Sequence, residues 1–345
     1  MGEPRIARSG ARYRRARRLD RSTRGVAAVI GTLLSLLVFF ALFGIFLTQY
    51  LPLWMDSNEA QFTAQADEAI STFKSNVDAQ SALGGPAVYA TTFPLSSQGV
   101  PLLAQPTEAV LILLPPSCPG GFLASGAPVT KTACVFETEA FTSGKGAKTN
   151  TPWNQSSTTA VMEMQLPNRY FTSQTFYFED DAVIQTQYGS HSVIVGPPPL
   201  AITKSGTNTT VTTSFLGLYG NSTVVIGQGS EEVYSQLVTS SATSSNGRFL
   251  SGTGGTGSPV TFNFTFQIGT HNLCPWYSFI EGLIQSSGLT AGAYTVSSTA
   301  ALPPTATVCS DANGLTYDLT FKVLNIAYAS VVQSSLAVSL GAGVA

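Results

Sequence analysis

The chain has 345 residues, a length suited to roughly two domains, and only 10% of them are charged against a usual share of about 25%. Nine arginines lie within residues 1–24 and face only Glu3 and Asp20, so that stretch carries +7; the rest holds 17 − 9 = 8 basic and 19 − 2 = 17 acidic residues, or −9. This pattern argues against an ordinary cytosolic protein and against a nucleic-acid binder, because no segment with a folding pattern is basic. With 43% hydrophobic residues and 20 Phe, wholesale disorder is excluded as well.

Val26–Leu47 reads VAAVIGTLLSLLVFFALFGIFL, 22 residues without a charge. At 1.5 Å per residue the run spans about 33 Å, enough for a hydrocarbon core of roughly 30 Å. Backbone groups inside a bilayer must be satisfied within the segment, so a helix is expected. Tyr50 and Trp54 follow its far end, where amphipathic rings favour the interface. Arg5, Arg8, Arg12, Arg14, Arg15, Arg17, Arg18, Arg21 and Arg24 all precede the run. Positive flanks stay cytoplasmic, so the N-terminus is expected inside and the C-terminal region outside the cell. The apolar run is too long for a signal-peptide core, and no small-x-small cleavage site follows it.

The string Arg24-Gly25-Val26-Ala27-Ala28-Val29-Ile30-Gly31-Thr32 resembles the N-terminus of archaeal type IV pilin-like precursors, which carry a class III signal peptide. In that family a basic leader precedes the apolar helix and a membrane peptidase cuts at the glycine. The resemblance implies cleavage between Gly25 and Val26, leaving the helix as the new N-terminus. Bacterial pilins place a Glu at the fifth mature position, where this chain has Ile30. The likeness covers residues 21–80 and extends more faintly to Asn168–Leu200. It implies a leader peptidase, the lipid bilayer, and further copies or other pilin-like subunits as partners.

Past Pro52 the pattern stays helical. Phe62, Ala66, Ala69, Ile70, Phe73 and Val77 form one apolar stripe of 3.6-residue period. Asp56, Glu59, Asp67 and Glu68 are placed on other, solvated faces, with Asp56 or Ser57 as a cap. The stripe must bury against the chain's own head or against neighbouring subunits. Pro52 is expected to kink or break the helix near Leu51. Gly84-Gly85-Pro86 should end it.

Beyond residue 86 the composition turns to Ser, Thr, Gly and β-formers. Val260–Ile268 and Tyr317–Val323 alternate apolar and polar, as half-buried strands do. Further strands are expected at Ala109–Leu114, Ala182–Tyr188, Ser192–Val195, Val211–Leu218, Thr223–Ile226, Glu232–Val238, Ala293–Val296 and Ser335–Leu340. Trp276, Phe279, Ile280, Leu283 and Ile284 share one helical face, with Gly288 as the stop. The expected fold class is α+β: a transmembrane and stalk helix followed by a mainly-β, sandwich-like extracytoplasmic region. Its divisions are a basic leader (1–25), a membrane helix (26–52), an amphipathic stalk (53–82) and β-rich parts at 83–200 and 201–345. Gly196-Pro197-Pro198-Pro199 marks the last boundary, or only a turn within one large sandwich.

Cys118, Cys134, Cys274 and Cys309 all follow the apolar run; exported cysteines pair, so two disulfides are expected, in any of three connectivities. Asn154, Asn208, Asn221 and Asn263 head N-x-S/T sequons, candidate glycosylation sites in an outer region. His191 and His271 have no Ser or Cys motif nearby, and no hydrolase, zinc, P-loop or dinucleotide fingerprint occurs. Glu179-Asp180-Asp181, the densest acidic cluster, lacks calcium-loop spacing and reads as a solvated turn, as does Glu231-Glu232. Tyr170, Phe171, Phe176, Tyr177 and Phe178 are assigned to packing before any carbohydrate-facing patch. No catalytic, cofactor-binding or metal residues are assigned. The expected function is that of a membrane-anchored pilin-like surface protein, a subunit or adhesive component of a filament, and not an enzyme. The alternative is an uncleaved single-pass protein with a ligand-binding or receptor ectodomain.

Overall fold

The computed structural model describes residues 10–114, 135–142, 153–158, 160–187, 192–246, 262–270, 272–304 and 317–341. The chain forms two compact units, Met1–Asp56 and Ser57–Ala345.

Helix α1 (Gly10–Ile45) passes through a π-helical turn (Phe46–Tyr50) into helix α2 (Leu51–Leu83). The expected break at Pro52 does not occur. Proline lacks the N–H for an α-helical bond, and its ring crowds the carbonyl four residues back. The turn just before it is widened instead: the Leu51 N–H reaches the Phe46 carbonyl, five residues back. The change of register stands where the sequence calls for interruption, and the chain stays helical. Asp56 and Ser57 therefore cap nothing. Gly84 ends α2 with φ +65°, its N–H bonded to the Gln80 carbonyl at 3.0 Å.

Three sheets follow. The first orders β1 (Val88–Pro94), β12 (Ser230–Asn246), β16 (Tyr328–Leu340), β10 (Asn208–Tyr219) and β9 (Leu200–Ser205). Within it, β10 and β16 pair in parallel, Thr210 beside Tyr328 through Tyr219 beside Ala337. The second orders β11 (Thr223–Ile226), β2 (Val110–Leu114), β5 (Val161–Leu166), β6 (Gln174–Glu179), β7 (Ala182–Gln187) and β8 (Val193–Gly196). The third orders β14 (Tyr294–Ser298), β15 (Tyr317–Ile326), β13 (Phe262–Thr270), β3 (Val135–Thr142) and β4 (Trp153–Thr158). Helix α3 (Leu273–Ser287) ends at Gly288, φ +68°, as its sequence predicts. Each sheet draws strands from both sides of Gly196–Pro199, so that segment connects β8 to β9 between two sheets within one unit.

Two apolar cores fill the second unit. The first gathers the α2 stripe, Phe62, Ala66, Ala69, Ile70, Phe73 and Val77, with Phe93, Leu111, Met162, Met164, Phe176, Phe178, Leu218 and Leu336. The Phe73 ring meets Phe178 edge-on at 5.2 Å and Phe93 at 6.1 Å. All six stripe residues are buried in their own head. Each large side chain so buried contributes about 1.5–3 kcal/mol. The second core packs α3 (Trp276, Ile280, Ile284) on β13 and β15 (Phe264, Phe266, Leu319, Phe321).

The long strands β10 and β16 serve both cores by changing face. Val211 and Phe215 belong to the second core, whereas Leu216 and Leu218, of the opposite parity, belong to the first. On β16, Ala329 and Val331 face the second core, and Leu336 and Val338 the first. Strict alternation along a strand keeps one face inward, so each of these strands must shift its buried parity along its length. The neighbouring β12 carries a register shift between Leu237 and Thr239, with Val238 turned out.

Candidate functional site

The feature of the first unit that a fold alone does not explain is its surface. Every residue from Ala28 to Phe43 is exposed, on all sides of the helix. Leu33, Leu37 and Phe40 are 60%, 68% and 58% exposed. A soluble helix shows one apolar face; this one is apolar all round and long enough to cross a membrane. Phe39 stacks on Phe43 and meets Phe40 edge-on along the outside. Gly25 lies inside α1, and Val26 after it is exposed. Farther on, Tyr50, Leu53 and Trp54 are also exposed.

In the second unit, α2 is fastened to sheet connections at two polar points. The first is Glu59, which is wholly buried, not solvated as the sequence reading has it. Its Oε2 accepts backbone N–H bonds from Arg169 (3.0 Å), Tyr170 (2.7 Å) and Phe171 (2.8 Å) in the β5–β6 connection. Its Oε1 accepts from the Thr107 hydroxyl at 2.5 Å and from the Arg169 N–H at 3.1 Å. Asn168 steadies the same connection, donating to Thr63 Oγ1 at 3.0 Å and to the Thr172 carbonyl at 3.1 Å. Burial by itself raises the Glu59 pKa; the bonds from Thr107, Phe171, Tyr170 and Arg169 outweigh it and hold the carboxyl below its ordinary value. The signal was present in the spacing: 59, 62, 66, 70, 73 and 77 fall on one face, so Glu59 continues the stripe.

The second point is Lys74. Its Nζ donates to the Asp181 carbonyl at 2.7 Å and to Asp181 Oδ1 at 2.9 Å, and pairs with Asp78 at 3.3 Å. Asp180 and Asp181 form the two-residue turn between β6 and β7, Glu179 pairing with Ala182 across it. Both turn residues have positive φ, +49° and +64°, the backbone that a tight hairpin requires and Asp tolerates. The expected solvated turn is therefore a buried one: Glu179, Asp180 and Asp181 are all buried. Asn272, next to the start of α3, donates to Glu179 Oε2 at 3.1 Å. Burial pushes the Asp181 carboxyl up to about 7, opposed by Lys74 and reinforced by Asp78. Burial, with Glu179 and Asp181 alongside, pushes Asp180 well above the carboxylate range. Among the described residues, no group of three or more His, Cys, Asp and Glu side chains is arranged to hold a metal ion.

Glu231 and Glu232 lie in β12, not in a turn; the Tyr234 hydroxyl donates to Glu232. Phe176 and Phe178 are core residues, while Tyr170 is exposed. Of the sequons, Asn208 and Asn221 are exposed, and Asn263 is half-buried with its Oδ1 accepting the Asn325 N–H at 3.2 Å. Asn154 lies in β4. Cys274 sits in the first turn of α3 and is disulfide-bonded. Cys118, Cys134 and Cys309 lie outside the described residues, as do His191 and His271. No protein family model, curated protein or solved structure matches the chain.

Proposed function

We propose that this chain is a membrane-anchored, pilin-like cell-surface protein. The observation that carries the reading is a helix exposed and apolar on every side from Ala28 to Phe43, followed in the chain by a helix whose stripe is buried in a β-rich head. A head that satisfies its own apolar surface has no need of the first segment, which is left for lipid or for like helices. In this reading the basic leader keeps the N-terminus cytoplasmic. Cleavage after Gly25 frees the helix from nine arginines, whose transfer into an apolar helix bundle is prohibitive. Released helices then exchange lipid contacts for contacts with one another, and the heads face outward. The buried stripe bears on this assembly: its residues hold the head together, so contacts between subunits fall to the exposed segment.

The test is the N-terminus of the protein recovered from membranes. Intact-mass and terminal sequencing should find a chain beginning at Val26, and Gly25→Leu should block the cut while leaving insertion intact. A dominant form that retains residues 1–25 would replace this reading with an uncleaved single-pass protein bearing a receptor-like ectodomain.

A further inference from the structure

The contact between Lys74 and the β6–β7 turn has the parts of a condensation reaction as well as those of a salt bridge. Lys74 Nζ lies 2.9 Å from Asp181 Oδ1, with the lysine side chain 13% exposed and the aspartate 2%. A second bond, from Nζ to the Asp181 backbone carbonyl at 2.7 Å, fixes the nitrogen against that one residue. Asp78, one turn farther along α2, is 3.3 Å from the same Nζ. Its carboxyl also shares a hydrogen bond with that of Asp181. A nucleophile, a carboxyl carbon and a third group in contact with both are held in one place.

The surrounding chain suits this approach. Gly196 in β8 leaves room for the lysine stem: a Cβ there would lie 3.2 Å from Lys74 Cδ and 3.0 Å from Val183 Cβ. Phe73, Phe178 and Val183 are buried, which keeps water from Asp181, whereas the Asp78 side chain is 45% exposed and opens to solvent. Glu179 and Asp180 are the other acids of the turn, and Asn272 donates to Glu179. Burial strips an ion pair of its hydration, a penalty that a neutral amide escapes. The same burial pushes Asp181 up to about 7, toward the protonated acid, the form whose carbon accepts an amine. Fixed contact of this kind replaces a bimolecular encounter.

We propose that Lys74 and Asp181 condense to an intramolecular isopeptide bond, with Asp78 carrying the proton. From the ion pair, one ammonium proton passes to the Asp181 carboxyl and leaves an amine beside a carboxylic acid. The nitrogen lone pair then forms the N–C bond at Asp181 Cγ. The Asp78 carboxylate takes a proton from that nitrogen and returns it to the hydroxyl oxygen. The C–O bond breaks with its electron pair on oxygen, and one water leaves. Ammonium and carboxylate have become a neutral amide and Asp78 is again a carboxylate, so the step needs no oxidant and no activated donor. The bond joins α2 to the β6–β7 turn across 107 residues of chain and closes a loop that persists on unfolding, as a disulfide does. Until it forms, Asp181 titrates as an acid; afterwards it does not. The inference is independent of how the first helix is used.

The test is mass spectrometry of the full chain, purified in detergent, incubated near neutral pH, then denatured and reduced. The intact mass should fall short of the sequence by one water. Trypsin should fail to cut after Lys74, and the peptide that contains it should remain joined to the peptide Tyr170–Lys204. Lys74→Arg keeps the cation but removes the amine nucleophile, and should restore the full mass and separate the two peptides. Asp78→Asn keeps both reacting groups and should slow the loss of water at least tenfold in a time course after refolding. A wild-type chain of full mass, cut cleanly after Lys74, would show an ordinary salt bridge and overturn the proposal. A water loss that persists in Lys74→Arg would place the dehydration elsewhere and overturn it equally. Unchanged kinetics in Asp78→Asn would remove Asp78 from the reaction.

Discussion

Helix α2 meets the head at two buried polar points fifteen residues apart, about 22 Å along the helix, and they are built in opposite ways. At Glu59 the helix supplies the acid and the β5–β6 connection supplies donors: three backbone N–H groups and a hydroxyl. At Lys74 the helix supplies a cation to a cluster where Asp78, Glu179, Asp180 and Asp181 are the acids. Glu59, Asp180 and Asp181 are all shielded from solvent, yet one carboxyl is held low and two are pushed high. The difference shows that loss of solvent contact does not by itself fix the direction of the shift. Burial raises all three, and what the neighbours can donate decides whether that rise is overcome.

The apolar stripe between the two points sets the scale against which they should be measured. Phe73→Ala, which opens a cavity between Phe93 and Phe178, is expected to cost about 3–5 kcal/mol. Denaturant unfolding of the detergent-solubilised protein measures it. Because the stripe is buried in its own head, this variant should lose surface abundance as well as any filament. Loss of filaments with abundance unchanged would assign the stripe to subunit contacts.

Glu59→Gln comes next and breaks the first point. The amide keeps the shape but removes the charge from a set of converging donors, at about 2–3 kcal/mol near neutral pH. Glu59 has its pKa lowered on folding, so its contribution is present above the ordinary value of 4.5 and fades as pH falls through the folded value. Wild type and variant should therefore converge in strong acid. A constant gap down to pH 2 would mean that packing, not charge, carries the effect.

The second point predicts the opposite slope. Asp181 rises from 3.8 to about 7 on folding, so the folded state holds its proton more tightly. Stability is then greatest with that proton in place and declines as pH climbs from about 4 through 7, with Asp180 acting in the same direction. Together with the acid-side loss at Glu59, Tm should peak on the acid side of neutrality. A Tm that rises steadily from pH 5 to pH 8 would contradict this account.

The smallest effect sharpens the contrast most. Asp180→Asn keeps a residue that tolerates positive φ and removes one buried acid from beside Glu179 and Asp181. It should stabilise the protein by about 1 kcal/mol at pH 8, have little effect at pH 4, and flatten the decline between them. The same pH series on this variant decides it.

Much of the architecture was legible because periodicity is a local property. The alternation at Thr223–Ile226 matches β11 to the residue, and the spacing of Trp276, Ile280 and Ile284 marks the helix that Gly288 stops. The six-residue stripe is plain in the sequence, but Glu59, which continues it, carries a charge that usually means exposure. Strands β5 (VMEMQL) and β6 (QTFYFE) are harder to see in the sequence: their polar residues obscure the alternation of buried and half-buried positions that folding produces. The acidic turn misleads for the same reason as Glu59: its charges suggest exposure, and it is buried. A hairpin's burial depends on what packs over it, and Lys74 lies more than 100 residues away in the chain.

The sequence by itself determined what depends on a residue and its near neighbours. That includes a charge-free helix of membrane length, its basic flank, the amphipathic helix after it, and the alternation of most strands. Tertiary structure alone decided where the stripe is buried, the drawing of each sheet from both sides of Gly196–Pro199, and the change of buried face along β10 and β16. It also decided which acid is held charged by donors and which are crowded by one another. These outcomes rest on contacts between residues far apart in the chain. The free energy of burying a polar group is set by the partners that folding brings to it, and local spacing holds no record of them.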